Sequence, residues 1–371
     1  MTTKLNNIDN LIYVGMDLHK KTTTFTAKNK QGEMLSQMKV YTNKDEVTKF
    51  VKQFNNQPMT LALEPVSQWY YYADLLERLG VDVHLTHPKK VKAISDKVKT
   101  DKIDSETLCE LLRVGWLPEA YLSPQEVRGW KEQTRFRVSL VRLRTQVRNK
   151  VHAILHKHAY QCEYTDLFGK SGRKWLGSLT FSKEYTRSIK HYLELHDTLT
   201  ERIDQAAKII EQTVSDHAQA KLLTTIPSIS YVTALTIMAE IGDIKRFPTA
   251  KKLMGYAGLV PSTYASGGKV VHGKITKTGS KWLRWIMVET AQRQTRLRKQ
   301  PGFGWYYRKL KERHGSKTAA VATARKLLAV IWAVLSENRE FEERTPDGRK
   351  LLNQATDSGV HQEARRKNIV S

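Results

Sequence analysis

Four acidic residues in the first third of the sequence could together hold metal ions. The first is Asp17, which lies in the apolar run 11–18. A carboxylate in a run suited to a buried strand is costly unless its charge is compensated, and a bound cation is a usual compensator. The others are Glu64, Asp101 and Asp104. Such oxygen ligands select Mg²⁺ or Mn²⁺, and two ions about 4 Å apart would promote cleavage or transfer of a phosphodiester.

The elements that must bring these residues together form the predicted first domain, residues 1–124. The patterns predict strands at 11–18, 22–28, 33–40, 59–63 and 81–85 and helices at 44–54, 67–79 and 101–114. This order is that of an RNase H-like α/β layer. There the first strand is central and the fourth lies beside it, so Asp17 and Glu64 would be neighbours. Asp101 and Asp104 would project from one side of the last helix, which crosses the same face.

Each carboxylate also has an explanation that involves no chemistry. Asp101 and Asp104 stand at the start of a helix, where capping and the helix dipole favour acidic residues. Glu64 ends a strand and precedes a proline, which is a common solvent-facing position. Asp17 is the hardest to explain in this way, because its neighbours favour burial. The case for a metal site therefore depends on the combination of the four acids, which stand at positions that the predicted fold would bring together, in a chain that is otherwise basic.

A second chemical feature is the glycine- and serine-rich loop predicted at 258–279. Gly267 and Gly268 permit the backbone to approach a phosphate closely. A hydroxyl beside them could attack phosphorus and form a covalent intermediate that conserves the bond energy for rejoining. Glycine-serine loops are also ordinary turns. By spacing, the eligible nucleophiles are Ser262, Tyr264 and Ser266.

The remainder of the chain is predicted to be mostly helical. Residues 125–218 contain two long helices with apolar residues at steps of three or four, joined by a connection at 169–177. These helices would form an antiparallel hairpin, a coiled coil suited to self-association, or a bundle core. A further unit is predicted at 219–343, and a polar tail at 344–371 is expected to be flexible. The unit's predicted helices are 231–241, 251–256 and 281–296.

The charge balance indicates a polyanionic partner. The 371 residues include 62 Lys and Arg against 37 Asp and Glu, a net charge of +25. The longest apolar stretch, 319–335, is interrupted by Arg325 and Lys326, so no membrane span is predicted. The polar start does not resemble a signal peptide, and we expect a cytosolic protein. Cys109 and Cys162 belong to no paired motif, which predicts ordinary thiols and argues against a disulfide framework or a thiolate zinc site.

Two groups of basic residues are candidates for nucleic-acid contacts. Residues 128–150 contain eight basic residues and one acidic residue, a ratio that favours a phosphate track over an ordinary solvent-facing helix. The candidates in this track are Arg135, Arg142 and Arg148. The candidates around the serine loop are Lys269, Lys274, Lys277, Lys281 and Arg284.

Several short motifs resemble those of the DEDD insertion-sequence transposases of the Piv/MooV group, which includes bridge-RNA-guided recombinases. The motifs are Gly-Met-Asp17-Leu-His-Lys, Leu-Glu64-Pro, Lys-Thr-Asp101-Lys-Ile-Asp104, and Gly-Leu-Val-Pro followed by Ala-Ser266-Gly. They occur in the family's order, and the resemblance covers about residues 11–335. The chain departs from the family at 226–230, where Ile-Pro-Ser-Ile-Ser replaces a frequent Ile-Pro-Gly-Ile-Gly.

The resemblance implies a RuvC-type RNase H-like domain, a coiled-coil link and a helical transposase domain. It implies that Asp17, Glu64, Asp101 and Asp104 bind Mg²⁺, with Mn²⁺ as a possible substitute. It also implies that Ser266 becomes joined to a DNA 5′-phosphate. The implied partners are double-stranded DNA of the element ends and target, an element-encoded guide RNA, and further copies of the chain, from dimer to tetramer. Such a protein would work in the bacterial cytoplasm, at the nucleoid.

We therefore predict an α/β plus all-α protein that acts as a Mg²⁺-dependent DNA recombinase with a serine nucleophile and RNA guidance. One alternative is a RuvC-like structure-selective nuclease that uses carboxylates and water only. The other alternative is a nucleic-acid-binding scaffold without catalysis.

Overall fold

A six-stranded mixed sheet organises the first of two compact units, Met1–Ser123 and Pro124–Ser371. The structure is a computed structural model, and it describes residues 10–94, 100–266, 269–296 and 302–342. The tail predicted at 344–371 lies outside these residues. The strands are β1 (Ile12–Leu18), β2 (Thr22–Lys28), β3 (Met34–Tyr41), β4 (Met59–Leu63), β5 (Asp82–Thr86) and β6 (Glu119–Ala120).

The strand order is β3-β2-β1-β4-β5-β6, with β1 central as predicted. The first three strands are antiparallel, β4 and β5 run parallel to β1, and β6 is antiparallel to β5. The five predicted strands are confirmed with ends shifted by one residue at most. β6 was not predicted, because a strand of two residues has no alternation to detect.

Helices cover both faces of this sheet. They are α1 (Lys44–Lys52), α2 (Trp69–Arg78), α3 (Pro88–Ile94) and α4 (Asp101–Arg113). On one face Phe25 stacks on Phe50 of α1, with ring centroids 4.0 Å apart, and the two rings share an apolar cluster with Leu76 of α2. Burying a side chain of this size contributes roughly 1.5–3 kcal/mol. On the other face Ala62 packs with Leu108 of α4.

The second unit is mainly helical. Its helices are α5 (Gln125–Lys157), α6 (Lys170–Ser178), α7 (Lys183–Ser215), α8 (Ala218–Thr224), α9 (Tyr231–Ile241), α10 (Ala250–Tyr256), α11 (Lys281–Arg293) and α12 (Phe303–Ser336). A hairpin of β7 (Pro261–Ser266) and β8 (Lys269–Ile275) lies between α10 and α11. A mixed sheet followed by a mostly helical region is consistent with an RNase H-like DEDD domain at the start of the chain.

The two longest predicted helices form an antiparallel pair. Ile154 near the end of α5 shares an apolar cluster with Ile189 near the start of α7. Val147 and Leu199 meet further along, and Trp130 shares a cluster with residues at the end of α7. The two helices therefore pair as a hairpin within one chain, and residues of both also belong to the main core of the second unit.

Two segments differ from the expectations drawn from composition. The predicted connection at 169–177 is largely α6, and it is helical because tertiary packing outweighs its glycines. Gly172 permits that packing, since a Cβ there would lie 2.5 Å from the backbone of residue 167. The predicted loop at 258–279 contains the β7–β8 hairpin, whose short alternation is obscured by Gly and Ser.

One described helix, α12, is long and apolar enough to cross a membrane by length and composition alone. Its backbone leaves helical geometry at Gly315, where φ is +79°. Leu327, Leu328 and Ile331 are completely buried in the main core of the second unit. These contacts are those of a core helix.

Candidate active site

Two of the predicted carboxylates lie together at the carboxyl ends of two neighbouring central strands. Asp17 lies near the end of β1, and Glu64 directly follows β4. The two strands are parallel neighbours, with Met16 opposite Leu63. One residue further along, Asp17 and Glu64 are therefore side by side, as the strand order predicted. Asp17 is 8% exposed and Glu64 is half-buried.

The third carboxylate comes from α4, which crosses this face of the sheet. Side chains alternate along β1, so Gly15 and Asp17 share a face, and α4 lies directly on Gly15. A Cβ at Gly15 would lie 1.9 Å from the carbonyl oxygen of Ser105. Asp104, in the first turn of α4, lines one cleft of about 140 Å³ with Asp17 and Glu64. The cleft is also lined by Pro88, Val91, Lys92, Thr107 and Leu108.

Polar contacts hold α4 in this position. Thr100 caps the helix by accepting a backbone hydrogen bond, 3.2 Å long, from the third residue after it. The hydroxyls of Ser105 and Thr26 are 2.8 Å apart, and the Cys109 thiol donates to the Tyr13 carbonyl at 3.1 Å. Burial raises the pKa of Cys109 to about 12. The thiol therefore stays protonated and has a packing role, as the sequence indicated.

The fourth carboxylate, Asp101, has cationic and imidazole neighbours and is not among the residues that line the cleft. The Lys39 ammonium donates to Asp101 Oδ2 at 2.7 Å. His19 Nε2 is 3.7 Å from Asp101 Oδ1 and 3.0 Å from Asp17 Oδ2. His19 and Lys39 were not predicted as site residues. His19 stands two positions after Asp17, which was a usable signal, whereas the placement of Lys39 depends on the pairing of β2 with β3.

The carboxylate charges at this site favour the binding of a cation. Burial raises the pKa of Asp17, an effect opposed by His19 and increased by the charges of Asp101 and Asp104. The hydrogen bond from Lys39 lowers the pKa of Asp101. A buried carboxylate among like charges is stabilised by a divalent ion, and oxygen donors of this type suit Mg²⁺ or Mn²⁺. The residues present therefore fit such an ion.

The predicted serine lies at the tip of the β7–β8 hairpin. Ser266 is the last residue of β7, and its backbone pairs with Lys269. The side chains of these two residues, and the two glycines between them, lie outside the described residues. Of the other eligible nucleophiles, Ser262 donates its hydroxyl to the carbonyl of Lys274 at 3.1 Å, while Tyr264 is 72% exposed. The Ser262 hydroxyl therefore already stabilises the hairpin.

The predicted basic residues of α5 differ in what their side chains contact. Arg148 donates to Asp166 at 3.0 Å, which gives it a structural partner. Arg135 donates at 3.0 Å to the buried Glu240. The guanidinium groups of Arg135 and Arg142 lie 5.4 and 5.5 Å from the centroid of the Trp282 ring, within cation–π range. Arg142 is exposed, so a phosphate can reach it.

The basic residues near the hairpin divide in a similar way. Arg284 donates to the carbonyl of Ala257 at 2.9 Å and so supports the end of α10. Lys274, Lys277 and Lys281 are exposed. These lysines leave the hairpin and the start of α11 positively charged.

Two family models match separate stretches of the chain. The model DEDD Tnp IS110, described as a transposase, matches residues 14–159, and the model for the Transposase IS116/IS110/IS902 family matches residues 220–308. The chain belongs to the IS110 family of DEDD transposases. The first model spans all four carboxylates, and the second spans the hairpin with Ser266.

Two similar proteins named as transposases align with this chain over nearly their whole length, and a third aligns over about half. The transposase for insertion sequence element IS1328 of Yersinia enterocolitica is 27% identical over 343 residues, 90% of this chain and 99% of the relative. A probable family 20 transposase of Pseudomonas aeruginosa is 26% identical over 88% of this chain and 97% of its own length. The pilin gene-inverting protein of Moraxella bovis is 31% identical over 44% of this chain and 51% of its own length. The IS110 transposase described here is thus similar to proteins named for transposition and for DNA inversion.

Proposed function

We propose that this IS110-family chain is a Mg²⁺-dependent recombinase that cuts and rejoins DNA through a covalent 5′-phosphoserine at Ser266. The observation that carries the proposal is the cleft in which Asp17, Glu64 and Asp104 converge at the ends of two parallel strands. This arrangement is that expected of a RuvC-type RNase H-like domain. Asp101 belongs to the same set through its contact with His19, which it shares with Asp17.

In the proposed reaction the carboxylates bind and orient, and the serine attacks. A bound Mg²⁺ supplies charge stabilisation to the scissile phosphate. Ser266 Oγ forms a bond to phosphorus, the bond to the 3′-oxygen breaks, and the proton of the serine hydroxyl leaves for solvent or the departing oxygen. The reverse steps with a new 3′-hydroxyl rejoin the strand. Because Ser266 and the carboxylates belong to different units, the reaction requires them to meet on one phosphate, within one chain or between two.

Nucleic-acid binding is assigned to the exposed cations. Arg142, Lys274, Lys277 and Lys281 are accessible, and the net charge of +25 favours a polyanion. We propose double-stranded element and target DNA as substrates and an element-encoded RNA as the guide. The α5–α7 pair is proposed as the coiled-coil contact of a dimer that becomes a tetramer on DNA. This activity would place the protein at the bacterial nucleoid.

A RuvC-like nuclease is the second candidate, because three carboxylates in one cleft are sufficient for hydrolysis by water. The two functions differ in their dependence on Ser266. The test is denaturing electrophoresis of the protein with labelled element-end DNA, its RNA and Mg²⁺. Wild type should form a protein–DNA adduct, Ser266→Ala should form none, and Asp17→Asn should neither cut nor join.

A matched control is Ser262→Ala, which removes a hydroxyl from the same hairpin. Ser262 makes one hydrogen bond to the backbone of β8, and the backbone pairs of the hairpin remain without it, so its loss should leave adduct formation nearly unchanged. Undiminished strand transfer by Ser266→Ala would refute the serine mechanism. Cleavage without any adduct in wild type would favour the nuclease.

A further inference from the structure

Glu240 is a buried carboxylate in the core of the second unit. It lies near the end of α9, where every residue from Thr233 to Ile241 is buried, and only 7% of Glu240 is exposed. A buried charge is costly unless it is paired and hydrogen-bonded. Its Oε1 accepts a hydrogen bond from Arg135 of α5 at 3.0 Å, and its Oε2 accepts one from the Ser280 hydroxyl at 2.8 Å. Glu240 therefore joins α9 to two other parts of the unit.

Ser280 is the residue through which Glu240 reaches α11. It is the N-cap of this helix, and its hydroxyl oxygen accepts a hydrogen bond from the Leu283 amide at 3.0 Å. A serine hydroxyl has a single proton, so donation to Glu240 directs its lone pairs toward that amide. Glu240 therefore fixes the orientation of the hydroxyl that caps α11.

The segment before α11 also forms the base of the β7–β8 hairpin. The Ser280 amide donates to the Tyr256 carbonyl at 2.9 Å, which joins the start of α11 to the end of α10. Gly279 has a φ of +90°, and a Cβ there would lie 2.1 Å from the same carbonyl oxygen. The Lys277 amide donates to the Gly258 carbonyl at 3.1 Å. The hairpin leaves the helical core through these contacts, so its direction depends on the position of the start of α11.

A small tilt at this base has a large effect at the tip of the hairpin. A strand rises about 3.3 Å per residue, so Ser266 at the end of β7 lies about 17 Å from Pro261 at its start. A tilt of about 5° moves the tip by about 1.5 Å, and a misplacement of about 1 Å costs on the order of 100-fold in rate. An isolated two-stranded hairpin is only marginally stable. Its direction therefore has to be fixed from the core.

We propose that Glu240 is a positioning residue for the β7–β8 hairpin, which it orients through the hydroxyl of Ser280. Arg135 stabilises the buried carboxylate, and its guanidinium lies 5.4 Å from the centroid of the Trp282 ring in the first turn of α11. One carboxylate thus fixes α5, α9 and α11 relative to one another. The proposal rests on the proposed function, because it concerns the hairpin that carries Ser266.

Three substitutions of Ser280 separate its contact with Glu240 from helix capping. Ser280→Ala loses both, Ser280→Thr keeps both, and Ser280→Asp keeps a capping oxygen but cannot donate to Glu240. The rate of protein–DNA adduct formation is measured at saturating element-end DNA with its RNA and Mg²⁺, together with the DNA concentration that gives half of this rate. Ser280→Ala and Ser280→Asp should slow the reaction by roughly 10- to 100-fold and leave the half-saturating concentration nearly unchanged. Ser280→Thr should react at the wild-type rate.

Glu240→Ala tests the carboxylate itself. It should slow the reaction to a similar extent, and adding Ser280→Ala should slow it no further, because the two substitutions remove one shared contact. Amide hydrogen exchange gives a second measurement that needs no DNA. The backbone amides of β7 and β8 should exchange faster in Glu240→Ala and in Ser280→Asp than in wild type. The matched control is Asn43→Ala, which removes the N-cap of α1 in the first unit and should change neither the rate nor this exchange.

A wild-type rate in Ser280→Asp or in Glu240→Ala would overturn the proposal. A raised half-saturating DNA concentration with an unchanged rate would also overturn it, because Glu240 would then act in binding. A wild type that forms no adduct would contradict the proposed function, and hydrogen exchange would then decide this inference by itself. Faster exchange of the hairpin in Ser280→Asp but not in Ser280→Thr would support the positioning role, and unchanged exchange in both would refute it.

Discussion

Replacing Gly15 with alanine tests how strictly the position of α4 determines the carboxylate cleft. The new Cβ would lie 1.9 Å from the Ser105 carbonyl oxygen and 2.5 Å from the Cys109 amide nitrogen. Both are backbone atoms, so no side chain can rotate away. The first distance has to grow from 1.9 Å to the 3.4 Å of an ordinary contact, which displaces α4 by about 1.5 Å. Asp104 moves with the helix.

The expected cost has two parts. Overpacking of this kind destabilises a protein by about 1–3 kcal/mol. A catalytic group displaced by more than about 1 Å loses roughly 100-fold in rate. Urea denaturation measures the first part, and the rate of Mg²⁺-dependent cleavage of element-end DNA by the folded variant measures the second.

A second glycine provides the control. Gly129, in α5, has nothing within 4 Å of its would-be Cβ, so Gly129→Ala should stabilise the protein by about 0.5–1 kcal/mol and leave cleavage unchanged. Wild-type stability and cleavage in Gly15→Ala would refute the inference that α4 is fixed by this contact.

Three further predictions concern charge and backbone strain. Because the pKa of Asp17 in the folded state is raised above 3.8 by burial, the metal-free protein loses stability as pH rises through that raised pKa. Asp17→Asn should therefore be more stable than wild type at neutral pH in a chelator, and Mg²⁺ should no longer raise its melting temperature. Burial opposes the charged form of His84, but Asp82 and Glu119, at 2.9 and 3.0 Å, outweigh it and raise its pKa above 6.5. The stabilisation by charged His84 is complete below pH 6.5 and is lost as pH rises through the raised pKa. The free energy of unfolding of His84→Gln, measured by urea denaturation across this pH range, should therefore not decline in this way. Ser228, at the departure from the family pattern, has a φ of +67°, so Ser228→Gly should raise the free energy of unfolding by about 1 kcal/mol, whereas Ser228→Ala should not.

Much of the first unit could be predicted from the sequence, because its signals are local. Buried strands such as β1 and β4 are mostly apolar, and β4 is flanked by Pro58 and Pro65. The placement of Glu64 beside Asp17 followed from the order of the elements. In the second unit, α6 and the β7–β8 hairpin were misjudged, since packing overrode the glycine and serine content of both segments.

The candidate site, too, could be predicted only in part. The four acids could be named from the strand and helix on which each lies. Their division into three that line the cleft and one bound to Lys39 could not be predicted, because it depends on side-chain contacts across three strands. The roles of Arg148 and Arg284 could not be predicted either, since the sequence does not distinguish an arginine that bonds within the protein from one that contacts phosphate.

The sequence by itself determined which residue types are available and which elements carry them: acids on β1, after β4 and on α4, a serine followed by two glycines, and an excess of cations. Only the tertiary structure decided which of these groups touch. The reason is that apolar periodicity specifies the face of an element that is buried, whereas contacts such as those of Lys39 with Asp101 and of Gly15 with α4 depend on strand register and on the approach of one backbone to another.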